Sequence, residues 1–192
     1  MKLADLEHLS PHRLAQGQSL YRTQRAAVTG AAIARGPLHL APIRALSGRF
    51  DVVGVPCAYL AEAPDTALFE ATFRRESTGV SVTALQLREL LAVQTQHEVV
   101  LGDLRPHAAA WPVLQSLRWS ETQALAAEVY KAGFSGLIYR SAQHFGQDCV
   151  VLFDPPSGLT AELWRVALAN AQGAVNKWVA DAVRRSLVPL VP

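Results

Sequence analysis

The chain has 192 residues, of which 50% are hydrophobic and 18% are charged. This composition suits one compact globular domain, or one domain with an appended element, and excludes global disorder. The formal net charge is only +2, which gives the molecule no general affinity for nucleic acid, although local basic clusters could bind anions. No apolar run reaches the roughly 20 residues that a membrane span needs.

The N-terminal segment, residues 1–19, is predicted to precede the main domain. It lacks the apolar core of about 7 to 15 residues that marks a secretory signal peptide, so we expect a cytoplasmic protein. Cys57 and Cys149 lie in apolar, strand-like runs. Each is therefore predicted to be a small buried side chain rather than half of a disulfide, a metal ligand or a nucleophile.

Residues 21–51 mix glycine and proline with arginine, which predicts loops and short strands that present guanidinium groups. The arginines are Arg22, Arg25, Arg35, Arg44 and Arg49. The run PCAYLA then predicts a strand, and Pro64 with Asp65 predicts the start of a helix, because both residue types favour a first helical turn. Glu70 lies on this helix among apolar neighbours, where a carboxylate is unusual unless it has a partner.

The middle of the chain predicts further strands and a second helix. The runs GVSVTALQL and HEVVLGDLR each predict a strand. Ser120 and Gln123 form a capping-box pattern that predicts the start of a helix, and Gly133 predicts its end. GLIY and DCVVLF then predict two buried strands on either side of the turn-like RSAQHFGQ.

The last segment, residues 155–192, predicts a long amphipathic helical extension with a bend at Gly173. Its apolar stripe comprises Trp164, Ala167, Leu168, Ala171, Val175, Trp178, Val179 and Ala182. The stripe suits packing on the domain core or contact with a second copy or another protein. The element order predicts an α+β fold with a mixed β-sheet core in residues 20–154 and flanking helices, since regular βαβ alternation is missing.

Several familiar catalytic and binding motifs are absent from the sequence. Ser141 lacks the GxSxG setting of a hydrolase nucleophile. The six histidines show no metal-ligand spacing, so no metal is expected, and His144 is notable only because it follows Ser141 closely. Neither GxGxxG nor GxxxxGKS occurs, so a bound dinucleotide would not be held in the Rossmann manner.

Four short motifs occur in a fixed order, each in a strand or helix context: LYR at Leu20–Arg22, GRF at Gly48–Phe50, YLAEAPDTALFE at Tyr59–Glu70 and YRSAQ at Tyr139–Gln143. On these motifs the chain resembles the RES domain family, from about Leu20 to Phe153. The family is named after an Arg, a Glu and a Ser, which here fall on Arg22, Glu70 and Ser141. The resemblance implies the toxin of a bacterial toxin–antitoxin pair, a fold related to ADP-ribosyltransferases, and an activity that consumes NAD.

The chemistry of these residues suits that substrate. Arg22 and Arg49 are expected to hold the pyrophosphate, because a guanidinium group can donate two parallel hydrogen bonds to phosphate oxygens. Glu70 is expected to stabilise the positive charge that develops on ribose when the nicotinamide bond breaks. Tyr59 is expected to pack on the nicotinamide, with ordinary core packing as the alternative, and Ser141 to bond a phosphate or a ribose.

The sequence departs from the family pattern beside Ser141. Arg140 stands where a smaller or cyclic residue is expected, and Gln143 stands where a basic residue is more usual. These differences put the local phosphate contacts in question, and Arg140 is a candidate to supply the missing charge.

The sequence leaves the acceptor of the ribosyl group open. Water would give NAD hydrolysis, phosphate would give phosphorolysis, and a protein side chain would give ADP-ribosylation. A non-catalytic nucleotide-binding or protein-binding module and a nucleic-acid binder are the alternative functions, the latter the least favoured.

The expected partners follow from the resemblance. They are a cognate antitoxin, of the DNA-binding Xre type, that covers the site, and a second copy bound through the C-terminal helix. No membrane and no direct nucleic-acid contact is expected. A delivered effector with an immunity protein is the alternative to a toxin–antitoxin pair.

Overall fold

The computed structural model describes residues 2, 4, 6, 8–115 and 119–192. Its strands are β1 (Pro11–Leu14), β2 (Ser19–Arg25), β3 (Ile33–Arg35), β4 (Leu38–Leu40), β5 (Cys57–Ala61), β6 (Val80–Ser81), β7 (Arg88–Thr95), β8 (Val99–Asp103), β9 (Gly136–Arg140), β10 (Asp148–Phe153), β11 (Thr160–Ala167) and β12 (Leu190–Val191). Its helices are α1 (Pro64–Ala71), α2 (Val82–Gln86), α3 (Trp119–Lys131) and α4 (Lys177–Ser186), with short 3-10 turns at Arg105–His107 and Pro112–Gln115.

The main sheet has the strand order β1-β8-β9-β10-β5-β2-β7-β11 within the described residues. Strands β8 and β9 run parallel, and the other neighbours run antiparallel. β2 pairs with β7 along its whole length, from Ser19↔Gln94 to Arg25↔Arg88. In contrast, β2 pairs with β5 at a single position, Tyr21↔Ala61. The sheet is therefore joined only loosely between β5 and β2.

Both faces of the sheet are covered. One face packs against α1, α3 and α4, which bury residues such as Leu68, Leu125 and Val179. The other face has a smaller core that includes Leu38 and Leu40 of β4. Strands β9 and β10 are covered on both sides, which explains why their sequences are continuous apolar runs rather than alternating ones.

The predicted α+β fold is confirmed, and so are most of the predicted elements around the motifs. Strands β5, β8, β9 and β10 and helices α1 and α3 occupy the predicted places. α3 is followed by Gly133, whose positive φ of 90° is one that other residues adopt with strain. The helix begins at Trp119, so Ser120 lies inside its first turn rather than at the predicted cap.

The predicted strand at GVSVTALQL is wrong for most of its length. Only Val80–Ser81 is extended, and Val82–Gln86 forms α2. Ser81 caps this helix, since its hydroxyl accepts a hydrogen bond from the Ala84 N–H at 3.4 Å. Strand β7 is not among the predicted elements, although it pairs with two neighbours in the main sheet.

The C-terminal helix is confirmed but is shorter than predicted. It comprises Lys177–Ser186 and is capped by Asn176, whose side-chain oxygen accepts from the Val179 N–H at 2.9 Å. Its buried Val179 and Ala182 belong to the core, which favours packing on the domain rather than a free surface.

The first part of the predicted helix, Thr160–Ala167, is instead β11. It pairs with β7, whose backbone N–H and C=O groups need partners along that edge. Arg165 reinforces the pairing through an ion pair of 3.2 Å with Glu89. A register shift between Glu162 and Trp164 breaks the alternation of exposed and buried residues, so the sequence does not show a strand pattern.

Candidate active site

A cleft of about 770 Å³ opens where β2 and β5 lose their pairing. It is lined by the residues of β2 that follow the single paired position, by the residues of β5 that precede it, by the loop at Ser47–Arg49 and by one side of α1. The lining includes Arg22, Arg25, Arg49, Arg74 and Arg88 as well as Tyr59, Glu70, Trp119 and Tyr139. The cleft is therefore basic, with Glu70 as a carboxylate on its wall.

Glu70 is held firmly by one of its two carboxylate oxygens. Oε1 accepts hydrogen bonds from the Ser141 hydroxyl at 2.5 Å, the Ala142 N–H at 3.1 Å and the Gln143 N–H at 3.2 Å. Oε2 has no hydrogen-bond partner in the described part of the chain. One oxygen thus fixes the orientation of the carboxylate, while the other remains available to a ligand in the cleft.

The turn after β9 supplies all three of these donors. Its first residue, Ser141, is only 1% exposed and does not line the cleft in the described residues. The Ser141 hydroxyl also accepts from the His144 N–H at 2.8 Å, which closes the turn. Ser141 therefore lies behind Glu70 and orients it, a contact that differs from the predicted bond to a ligand.

Arg22 projects from β2 into the gap between β5 and β4. Its guanidinium group donates to the carbonyl oxygens of Tyr59 at 2.7 Å and His39 at 3.0 Å. Burial lowers the pKa of Arg22 to about 10. No carboxylate of the described residues lies within ion-pair distance, so this cation is desolvated without a counter-charge.

Arg49 is buried, with 7% of its surface exposed. It donates to the Leu114 carbonyl at 3.2 Å and lies 5.9 Å from the centroid of the Tyr139 ring, a cation–π distance. The Thr122 hydroxyl of α3 donates to the Arg49 carbonyl at 2.6 Å and so fixes the loop. Arg49 also lacks a carboxylate partner among the residues that the structure describes.

Tyr59 lines the cleft with its ring, while its hydroxyl is used inside the protein. The hydroxyl donates to Asp51 Oδ1 at 2.9 Å and accepts from the Phe50 N–H at 2.8 Å. Burial raises the pKa of Tyr59 well above its ordinary value, so the phenol stays protonated at neutral pH. Gly48 permits this packing, because a Cβ there would lie 2.4 Å from the Tyr59 hydroxyl oxygen.

Unsatisfied polar groups are concentrated around this cleft. Buried polar atoms without a hydrogen-bond or ion-pair partner occur, within the described residues, in the lining residues Arg22, Thr23, Arg49 and Trp119. Buried donors without partners are rare in folded proteins and are found at functional sites. The lining of the cleft is therefore electrostatically incomplete without an anion.

Other site chemistries receive no support from the described residues. No group of three or more His, Cys, Asp and Glu side chains among them could hold a metal ion. Cys57 and Cys149 are free and buried, and burial raises the pKa of Cys57 to about 11. No helix within the described residues is long and apolar enough to cross a membrane.

Comparison with known families identifies the family of the chain. The family model described as the RES domain matches residues 11–169. The chain belongs to the RES domain family. No curated protein matches it.

The fold of this RES domain protein is similar to that of a solved chain. The match is to a chain in the crystal structure of the M. tuberculosis MbcT-MbcA toxin–antitoxin complex, with a TM-score of 0.60 and 15% sequence identity. It covers 84% of this chain and 89% of that one. At this identity the similarity shows a shared fold.

The RES domain brings four of the five predicted site residues to one cleft. Arg22, Arg49, Tyr59 and Glu70 all line it, whereas Ser141 supports Glu70 from behind. Arg140, the candidate for an extra phosphate contact, instead forms an ion pair of 2.7 Å with Asp148.

Gln143, the second departure from the family pattern, has a structural contact. Its side-chain oxygen accepts from the Arg75 N–H at 2.7 Å, and its side-chain nitrogen donates to Glu76 at 3.1 Å. Gln143 thus joins the turn that orients Glu70 to the chain that follows α1.

Sequence reasoning missed several lining residues of the RES domain. Trp119 presents an indole beside the Arg49 loop, and its buried N–H has no partner in the described residues. Arg88 was not singled out from the sequence, and Arg25 was named only as one of several arginines in that region, with no role in the site. Arg25 and Arg88 are connected by pairing across the two strands. That pairing can be recognised only when the register between β2 and β7 is known.

Proposed function

We propose that this RES domain protein is the toxin of a toxin–antitoxin pair and that it cleaves NAD at the bond between nicotinamide and ribose. One observation carries the proposal. A rigidly held carboxylate, Glu70, shares a cleft with Arg22 and Arg49, two desolvated guanidinium groups that lack a counter-charge within the described residues.

The guanidinium groups suit the pyrophosphate of a dinucleotide. Each phosphate carries negative charge, and a charge-assisted hydrogen bond to a guanidinium group is stronger than one between neutral groups. Arg22 and Arg49 are already positioned by backbone carbonyls, so binding would order few side chains. Tyr59 lines the same cleft and offers an aromatic side chain that suits stacking against a planar base.

Glu70 suits the reacting end of the substrate. When the bond breaks, the electron pair stays on the ring nitrogen of nicotinamide, so the leaving group is neutral and needs no proton. The ribose then carries a positive charge like that in glycoside hydrolysis. A carboxylate held in place before the reaction stabilises this charge without reorganising.

The acceptor that captures the ribosyl cation is proposed to be water or phosphate, which would deplete NAD. Transfer to a protein side chain is the alternative and would make the enzyme an ADP-ribosyltransferase. All three outcomes share the same cation, so Glu70 has the same role in each.

An antitoxin partner belongs to this proposal. The similar solved chain comes from a toxin–antitoxin complex, and an enzyme that drains NAD requires an inhibitor in its own cell. We propose a partner, of the DNA-binding Xre type, that covers the basic cleft. An antitoxin encoded beside this chain would then block nicotinamide release when added in equal amount.

The test of the proposal compares wild type with Glu70→Gln, which keeps the shape of the side chain and removes its charge. Wild type is expected to release nicotinamide from NAD, and the variant to be slower by about a hundredfold or more. Glu98→Gln is the matched control, because Glu98 is an exposed carboxylate paired with Arg13 of β1, at the edge of the sheet opposite β11. NAD binding without nicotinamide release from wild type would indicate a non-catalytic module.

A further inference from the structure

Two arginines of the cleft are placed directly opposite each other. Arg25 ends β2 and Arg88 begins β7, and the two form the last pair in the antiparallel register. Like charges at directly opposed positions destabilise a sheet. Neither side chain has an ion pair or a side-chain hydrogen bond in the described part of the chain, and both line the cleft.

This arrangement differs from that of most other arginines in the protein. Within the described residues, ion pairs with Asp or Glu are formed by Arg13, Arg35, Arg74, Arg105, Arg140, Arg165, Arg184 and Arg185. Arg25 and Arg88 remain uncompensated beside each other. Burial, and after it the charge of Arg25, lowers the pKa of Arg88.

The cleft carries more positive charge than NAD would neutralise. The two negative charges of a pyrophosphate match Arg22 and Arg49, and the positive nicotinamide ring matches Glu70. Arg74 has its own partner in Glu76. The remaining lining arginines, Arg25 and Arg88, therefore lack a counterpart in NAD.

A phosphate monoester would supply the negative charge that Arg25 and Arg88 lack in NAD. It carries about −1.5 to −2 at neutral pH and offers three acceptor oxygens, enough for two guanidinium groups. Arg25 lies three residues beyond Arg22 on β2, so their Cα atoms are about 10 Å apart and their side chains leave opposite faces of the strand, although both line the cleft. His39 Nδ1 lies 2.8 Å from the Arg25 carbonyl oxygen and anchors the strand end.

We propose that Arg25 and Arg88 form a second anion subsite that binds a phosphate monoester carried by the dinucleotide. The preferred substrate is then NADP, which has one such phosphate on its adenosine ribose. This inference rests on the proposed function for the reaction but concerns a different part of the cleft.

The experiment measures nicotinamide release from NAD and NADP in parallel, in phosphate-free buffer of low ionic strength. Wild type is expected to show a kcat/KM for NADP about tenfold or more above that for NAD. In the double variant Arg25→Gln with Arg88→Gln, the ratio of the two values is expected to fall to about one. Arg13→Gln removes the same kind of charge far from the cleft and is expected to keep the wild-type ratio.

Folding of the double variant can be checked independently. Because the substitutions remove a like-charge pair, its melting temperature is expected to equal or exceed that of wild type. A wild-type enzyme that cleaves NAD at least as efficiently as NADP would overturn the inference and leave the proposed function intact. Inorganic phosphate that accelerates NAD cleavage in wild type but not in the double variant would assign the subsite to free phosphate instead and overturn it.

Calorimetric titration with NAD and NADP separates the subsite from the reaction. If neither dinucleotide releases nicotinamide, either in phosphate-free buffer or after inorganic phosphate is added as an acceptor, the proposed function fails. Tighter binding of NADP than NAD to wild type, lost in the double variant, would then still support the subsite. Equal binding of both dinucleotides would overturn it.

Discussion

At the residue scale, the central feature is the asymmetric environment of Glu70. One oxygen accepts three hydrogen bonds from the turn at Ser141, and the other has no partner within the described residues. The Ser141 hydroxyl donates to Glu70 and accepts from the Gln143 and His144 N–H groups. Ser141 is therefore a positioning residue, which acts on the substrate only through the carboxylate.

This role predicts the effect of Ser141→Ala. The substitution removes one of the three donors to Glu70 and loosens the turn that provides the other two. We expect kcat for nicotinamide release to fall by about ten- to a hundredfold, as for other supporting residues of a site, with KM changed much less. Steady-state kinetics on NAD and NADP measure the two parameters separately.

Ser135→Ala is the matched control, because Ser135 is exposed and directly precedes β9. It is expected to retain wild-type kinetics. A Ser141→Ala enzyme with unchanged kcat and raised KM would show that Ser141 contacts the ligand itself.

At the scale of elements, α4 secures the parts of the chain that hold Glu70. Arg185 of α4 forms an ion pair with Asp65 in the first turn of α1. The Arg185 guanidinium group also donates to His144 Nε2 at 2.9 Å, in the turn after β9. The His144 ring stacks on Phe69 of α1 at 4.8 Å. The C-terminal helix thus joins α1 to the turn that orients its carboxylate.

These contacts require a neutral His144. A guanidinium group can only donate, so Nε2 accepts and the proton lies on Nδ1, which is 2.8 Å from the Thr66 hydroxyl. Burial lowers the pKa of His144, opposed by the charge of Asp65 and assisted by that of Arg185. The unfolded chain therefore binds this proton more readily than the folded chain does.

The stability of the folded state should therefore decrease as the pH falls. As the pH falls below the ordinary histidine pKa of 6.5, the unfolded state gains protons first and the folded state loses stability. We expect the melting temperature of wild type to fall between about pH 7.5 and pH 5, and that of His144→Gln to fall less. Thermal unfolding at a series of pH values tests this.

His97→Gln controls for the loss of a histidine, because His97 is exposed. Its melting temperature is expected to follow the wild-type pH profile. Parallel profiles for wild type and His144→Gln would contradict a neutral, half-buried role for His144.

At the scale of the whole molecule, the loose join between β5 and β2 creates both the cleft and its electrostatic imbalance. Arg22 and Arg49 are withdrawn from water there without carboxylate partners in the described residues, which is costly for isolated cations. An anion that binds the folded state would offset this cost. Ligand binding should therefore stabilise the entire fold.

This predicts a thermal shift with dinucleotide. Glu70→Gln, which is expected to bind without rapid turnover, should melt about 5 to 10 °C higher when NADP is present at about a hundred times its Kd. Adding Arg49→Gln to this variant should remove most of the shift. Differential scanning fluorimetry measures both, and a shift that survives the loss of Arg49 would place the anion elsewhere.

Local sequence signals predicted the parts of the site that depend on neighbours in the chain. Pro64 marked the start of α1, and the apolar runs around RSAQHFGQ marked β9 and β10. The motif resemblance named Arg22, Glu70 and Ser141. The contact between Ser141 and Glu70 was not predictable, because 71 positions separate the two residues and the hydroxyl could equally have faced a ligand.

By itself, the sequence determined the family, the α+β class and the residue types of the cleft, because these depend on motifs, local capping and hydrophobic patterns. Only the tertiary structure decided that Thr160–Ala167 is a strand and that Arg25 faces Arg88. Both outcomes depend on β7, whose backbone groups select partners far away in the chain. Strand register is a long-range property, so the charge pattern of the cleft appears only after the sheet is assembled.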